Sequence, residues 1–294
     1  MRFLLILIFV SIYSCKTEPK LESKPNEEAE SRDLSDAFKS YWYNGEAELN
    51  SYDLEFYRYG EKRNGSAMLI FVTEDFLQDQ QVKASSKSKN SISVMKLNAT
   101  KKFNTGIYPY SIMQSSFLPL AKKDPLIKAS SSIQEWCGQV YAQLNHRTNF
   151  EIQTHSYFEN ESDTKYELNP TLTENELWIQ LRIDPKQVET GSVQVVPDLG
   201  FLQLNHKDFK SYSADLKQTH GEYIKTQLIY DNLGRVLKIY QSKSFPFSIE
   251  KWEEIAITSG DTLISKATKR KTLRTKYWQK NSNKYLHLRD TLKL

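Results

Sequence analysis

Tyr223-Ile224-Lys225-Thr226-Gln227-Leu228-Ile229-Tyr230-Asp231-Asn232-Leu233-Gly234-Arg235-Val236-Leu237-Lys238-Ile239-Tyr240-Gln241 is the stretch that decides the architecture. Two runs rich in β-branched and aromatic residues, each alternating apolar with polar, flank Asp231-Asn232-Leu233-Gly234. Asp and Asn favour turns, and Gly accepts the positive φ that a tight reversal needs. A period of two places alternate side chains on opposite faces, so residues 223–230 and 235–241 are predicted to form a hairpin of half-buried strands.

The same period recurs along most of the chain. Leu54 and Phe56, then residues 67–73, 92–97 and 107–117, are β-rich and separated by polar turns. Phe150, Ile152, Thr154, Ser156 and Phe158 alternate with Glu151, Gln153, His155 and Tyr157. The clearest alternation, Leu177, Ile179, Leu181 and Ile183 against Trp178, Gln180 and Arg182, predicts a further half-buried strand. No spacer is long enough for repeated parallel crossovers. The fold class expected is therefore mainly β: a curved, predominantly antiparallel sheet, an open half-barrel or similar. One short helix precedes it, because Leu34, Phe38, Tyr41 and Trp42 recur at helical spacing, with Asp33 as its N-cap.

The chain of 294 residues is 39% apolar, 26% charged and 12% aromatic, which excludes a disordered or collagen-like polymer. Arg2, the apolar residues 3–10 and the closing Ser11-Ile12-Tyr13-Ser14-Cys15 have the order of a secretion signal too short to span a bilayer permanently. Ser14 before Cys15, with Ile12 two residues earlier, resembles the lipobox of bacterial lipoproteins. That resemblance implies cleavage after residue 14, lipidation of Cys15, and an address on the bacterial cell envelope, on the periplasmic or surface face of the outer membrane. Residues 15–32, with two prolines and many charges, are expected to form a lipidated, flexible tether, and 33–294 a single β-rich domain. The Lys122-Lys123-Asp124-Pro125 step is too short to divide that domain.

The formal charge of +4 is too small for a bulk polyanion-binding protein, and nucleic acid is not an expected partner. Residues 266–294 nevertheless hold ten basic residues against one acid, Asp290. A basic strand there could face anionic headgroups or an acidic glycan. Thr268, Thr272, Leu273, Tyr277 and Trp278 are interleaved, so the favoured reading is a solvated edge strand whose lysines prevent edge-to-edge pairing.

No His-Glu-x-x-His, Cys-x-x-Cys, Walker loop or Gly-x-Ser-x-Gly string occurs, so no cofactor or metal is implied and no catalytic residue is assigned. If residues 141–145 pair with 150–155, His146 faces Phe150 and His155 faces Tyr141, and the two imidazoles do not converge. Cys137 beside Trp136 is the best candidate nucleophile but reads more simply as a small buried apolar residue. Glu250, Glu253 and Glu254 around Trp252 have no inferable partner geometry. Phenols at residues 52–59 and 108–110 suit a core, or a concave sheet that grips a ligand.

Residues 39–45 (Lys-Ser-Tyr-Trp-Tyr-Asn-Gly), 69–76 (Leu-Ile-Phe-Val-Thr-Glu-Asp-Phe), 101–110 (Lys-Lys-Phe-Asn-Thr-Gly-Ile-Tyr-Pro-Tyr), 135–138 and 245–252 (Phe-Pro-Phe-Ser-Ile-Glu-Lys-Trp) resemble those of an uncharacterised family of bacterial lipoproteins. Some members of that family carry the label septum formation inhibitor Maf. True Maf proteins are cytosolic α/β nucleotide pyrophosphatases with an N-terminal Ser-x-Ser-Pro-Arg-Arg-type loop, which this chain lacks, so nucleotide hydrolysis is not expected. The function expected is a membrane-anchored, non-enzymatic binding or scaffold role toward a lipid, peptide or other envelope component such as a glycan. The alternative is an envelope hydrolase or transferase using Cys137 or the clustered carboxylates.

Overall fold

The structure is a computed structural model that describes residues 30–159, 161–257 and 260–294. Cys15, the signal-like segment and most of the expected tether lie outside the described residues. Glu30 to Arg32, assigned to the tether by sequence, are instead pinned: Ser31 forms a β-bridge with Lys122, and Arg32 N–H donates to Ala121 O at 2.9 Å. The charged step at 122–125 is thereby a seat for the incoming chain.

Among the described residues sixteen strands form one sheet. They are β1 (Ala47–Arg58), β2 (Glu61–Leu77), β3 (Val82–Lys83), β4 (Ser91–Thr105), β5 (Tyr108–Pro119), β6 (Lys128–Glu135), β7 (Gly138–His146), β8 (Phe150–His155) and β9 (Thr164–Leu168), followed by β10 (Leu172–Thr173), β11 (Gly191–Val196), β12 (Tyr212–His220), β13 (Ile224–Tyr230), β14 (Arg235–Gln241), β15 (Ile249–Ile257) and β16 (Thr262–Thr275). The spatial order runs from β10 through β16, then β1, β2 and β4 to β9, with β3 paired to β2 alone. All neighbours are antiparallel except β10 and β11. Four short helices accompany them: α1 (Asp36–Trp42), α2 (Glu174–Ile183), α3 (Leu199–Leu204) and α4 (His287–Thr291).

The ends of this path are consecutive in sequence. Laid flat, fifteen strands would place β10 and β9 about 67 Å apart at 4.8 Å per step. Leu168 and Leu172 are joined by only Asn169, Pro170 and Thr171, which reach about 14 Å at most. The sheet is therefore bent round on itself, open at one seam between β9 and β10, where Pro170 has no N–H to offer a ladder. The concave face holds one large buried cluster that runs from Phe38 and Trp42 through Leu97, Phe150 and Leu228 to Ala267.

The mainly β expectation is met, and the hairpin is as read, with Gly234 at φ 56° between β13 and β14. The β7 and β8 register places Tyr141 opposite His155 and His146 opposite Phe150. Three readings need correction. Residues 177–183 are not a strand but lie in α2, which starts where Thr173 Oγ1 accepts from Glu176 N–H at 3.0 Å. The helix packs inside the sheet with eight of its ten residues buried, Glu174, Glu176 and Arg182 among them, so its apolar positions lose the amphipathic period. The α1 N-cap is Ser35, whose Oγ accepts from Phe38 N–H at 3.1 Å, not Asp33.

The third correction concerns the basic C-terminus. β16 is not an edge; it lies between β15 and β1 and joins the two halves of the sheet. Beyond it the chain leaves the sheet and covers the outer face of β1 and β2, where Leu292 packs with Ala47, Leu49, Met68 and Val72. Several of its cations are neutralised in place: Lys266 by Glu55 at 3.2 Å, Lys269 by Glu250 at 2.6 Å, Arg270 by Asp53, and Arg274 by Glu46 at 3.5 Å.

Gly65 on β2 shows how closely the strands pack, because a Cβ there would lie 2.1 Å from the Lys102 carbonyl oxygen on β4. Gly65→Ala is expected to force the β2 and β4 backbones apart and cost about 1–3 kcal/mol, read as a lowered urea midpoint with an unchanged m-value.

Candidate functional site

Two regions concentrate polar chemistry: the interior around α2, and the cleft at the seam. In the interior the Glu48 carboxylate on β1 meets Arg182 on α2, both almost completely buried. Arg182 Nη1 and Nη2 donate to the two Glu48 oxygens at 2.8 and 3.0 Å, and its Nε donates to Pro246 O at 3.0 Å. Asn50 Nδ2 and Tyr41 Oη also donate to Glu48. The guanidinium lies over the rings of Trp42 and Phe71, 5.2 and 4.6 Å from their centroids. Burial alone would raise the Glu48 pKa, but the Arg182 charge and these donors outweigh it and hold the carboxyl at about 2.

At the N-terminus of α2, two turns before Arg182, begins a second network. Glu174 accepts from Tyr230 Oη at 2.7 Å and pairs with Arg235. Arg235 also reaches Glu254 at 3.5 Å, and Glu254 pairs with Lys101 and accepts from Trp252 Nε1 at 3.3 Å. The half-buried Asp198, N-cap of α3, accepts from Gln114 Nε2 at 2.8 Å, Phe201 N–H at 2.8 Å and Asn175 Nδ2 at 3.2 Å. Burial and the nearby Glu174 raise the Asp198 pKa, whereas Lys101 and Arg235 overcome the burial of Glu254 and hold it at about 2. Lys101, Gln114, Trp178 and Glu254 surround a chamber of about 40 Å³. That is room for roughly three water molecules, and none for an acyl chain.

The cleft is larger, about 590 Å³. It lies between β9, whose outer edge pairs with no strand among the described residues, and the turn that follows α3. His206 pairs with Glu161, His155 Nδ1 is 3.1 Å from Asp163, and Ser156 Oγ donates to Glu161 at 2.6 Å. Glu159 and Asp208 add exposed carboxylates, Asp208 being paired with Lys210 at 3.1 Å, and Lys207 is the lysine of the cleft wall. Tyr166 and Phe209, with ring centroids 5.4 Å apart, form its floor.

The sequence candidates are distributed differently from expectation. Cys137 is not a buried apolar residue; it is exposed on the turn between β6 and β7. Hydrogen bonding to Glu135 and that residue's negative charge push its thiol pKa up, the opposite of nucleophile activation. Glu250 and Glu253 pair with Lys269 and Lys238 at the surface, and only Glu254 reaches the interior. Tyr52 is core, donating to Ile249 O at 2.8 Å. The network around Glu174, Glu176 and Arg182 was missed. Thr173-x-x-Glu176 was its available signal, a capping-box spacing that marks a helix start.

No protein-family model matches the chain, and no curated protein matches it in sequence. Among solved structures it is similar to a β-barrel-like protein from Brucella abortus, of the domain of unknown function DUF1849. The similarity is 7% identity over 77% of this chain and 97% of that one, with a TM-score of 0.46.

Two predictions test the interior. Arg182→Met should leave Glu48 charged, buried and unpaired, and cost about 3–5 kcal/mol in urea denaturation. Glu176, fully buried and accepting from Leu126 N–H at 3.1 Å and Gln180 Nε2 at 2.8 Å, has its pKa raised to about 7 by burial. A carboxyl raised in the folded state stabilises fully below its unfolded value near 4.5, and that stability is lost as pH rises through about 7. The Tm should accordingly fall between pH 5 and pH 8, and Glu176→Gln should flatten that part of the profile.

Proposed function

We propose that this protein is a lipid-anchored, non-enzymatic binding protein of the bacterial envelope, which takes an extended basic peptide in the seam cleft. The observation that carries the reading is the contrast between the two cavities. The interior is filled by α2 and its paired charges, which argues against carrying a lipid within the sheet. The cleft is open, acidic, and bordered by an unpaired strand edge, the arrangement in which a peptide adds as a further strand. Anchorage is supported by the Ser14-Cys15 resemblance alone. The hydrolase alternative draws no support from Cys137, whose neighbour is a carboxylate and not a base that would form the thiolate.

Native mass spectrometry of protein extracted gently from its own membrane should record a diacylglycerol-sized adduct that Cys15→Ser removes; an unmodified Cys15 overturns the anchor. An octapeptide of alternating lysine and valine should bind saturably. Reversing the exposed cleft charges with Glu159→Lys and Asp208→Lys should weaken it by about tenfold or more. Equal affinity in that double variant removes the cleft from the proposal.

A further inference from the structure

The turns of an antiparallel meander alternate between its two rims, and the register fixes which turns share one. Gly65 pairs with Phe103, Ser111 with Gln134 and Tyr141 with His155. The β1–β2, β4–β5 and β6–β7 turns and the β8–β9 loop therefore stand side by side on a single rim. Each carries a large apolar side chain at its tip, directed into solvent: Tyr59 is 61% exposed, Ile107 85%, Trp136 69% and Tyr157 60%. The turns of the same half at the opposite rim are 78–90, 121–127 and 147–149. They carry charged and amide residues, with Val82 as their one large exposed apolar residue, and Tyr43, 47% exposed, stands at that rim before β1.

Exposure of this kind costs free energy unless something covers it, and on separate turns it cannot be relieved by core packing. The tips also brace one another. Tyr108 and Trp136 have ring centroids 6.4 Å apart, and the Tyr157 ring lies so close to Gly138 that a Cβ there would be 2.5 Å from it. Behind Tyr59, its hydroxyl meets that of Tyr110 at 2.8 Å. The arc is held in shape before anything binds.

We propose that this rim docks on a lipid bilayer, with Ile107 and Trp136 entering the headgroup and acyl boundary and the tyrosines lying at headgroup level. Two observations favour a bilayer over a protein. The tips project along the rim of a curved sheet, the shape a planar interface covers in one approach. Trp and Tyr, each with an apolar ring and one polar atom, are the residues that concentrate at membrane interfaces. The charges behind the tips are of both signs: Arg58, which donates to Leu204 O at 2.8 Å, and Lys102 stand against Glu135 and the exposed Glu159 of the β8–β9 loop, with Glu61 paired to Arg63 at 2.7 Å. The seat of Glu30 to Arg32 against 121–123 is at the other rim, so an anchor at the N-terminus and this contact engage different ends of the molecule. The proposal does not depend on the anchor or on the peptide cleft.

Cys137 provides the test, since it lies on the Trp136 turn and is exposed. Full-length Cys15→Ser protein, labelled at Cys137 with a polarity-sensitive dye, is mixed with phosphatidylethanolamine and phosphatidylglycerol vesicles containing spin-labelled lipid. Bound protein should show a blue shift and about twofold or greater quenching. The same dye on Lys89→Cys at the opposite rim, in a Cys137→Ser background, should report water. Ile107→Ser with Trp136→Ser, both on exposed tips, should leave the urea midpoint close to that of the parent while removing the shift and weakening rim-dependent partitioning by about tenfold or more. A Cys137 dye that stays in water on vesicle-bound protein overturns the proposal, as does an equal response at Lys89→Cys or an absence of vesicle binding. A dye response that follows protein concentration without lipid overturns it in favour of self-association.

Discussion

The bidentate pair between Arg182 and Glu48 holds together the two parts of the molecule that neither could keep alone, the curved sheet and the helix within it. Burying two such charges costs several kcal/mol each, and the cost is offset only where the geometry is good and the remaining lone pairs and N–H groups are satisfied. Here they are: the guanidinium bonds both carboxylate oxygens and the Pro246 carbonyl, while Asn50 and Tyr41 complete the shell of Glu48. Because Glu48 is on β1, which with β16 joins the two halves of the sheet, the position of α2 is tied to the middle of the strand order.

From that constraint the rest of the interior follows. A sheet bent round on itself encloses a volume that its own side chains cannot fill, and α2 and α3 fill it. Their polar groups must then find partners inside, which accounts for Glu174 with Tyr230 and Arg235, Glu254 with Lys101, and Asp198 with three donors. Charge that would suggest acid and base catalysis on an open surface is consumed in fastening the helices. What remains free for other molecules lies at the margins: the open seam beside β9 and the aromatic rim.

The basic tail illustrates the same economy of position. Ten cations in the last twenty-nine residues read as a solvated edge strand, yet four of the first five in β16 face acids on neighbouring strands or next to α1, and the segment beyond covers apolar residues of β1 and β2. A count of charges along a chain does not reveal which of them the sheet register brings opposite carboxylates.

The sequence by itself determined that this is a β protein. The period of two in residues 67–73, 92–97, 150–155 and 223–241 reflects strands with one face in and one face out, a local property that each segment carries alone. It also determined the β13–β14 turn and the β7–β8 register, because short hairpins are set by the turn residues between them. Only the tertiary structure decided that the sheet returns on itself, that β16 is internal, that Cys137 is exposed, and that Leu177 to Ile183 is helical. Each depends on what surrounds a segment. In a helix buried at eight of its ten positions, polar residues are as buried as apolar ones, so the hydrophobic period that identifies helices elsewhere has little to record. The convergence of Glu48 with Arg182, 134 residues apart, is likewise a product of closure and has no local trace.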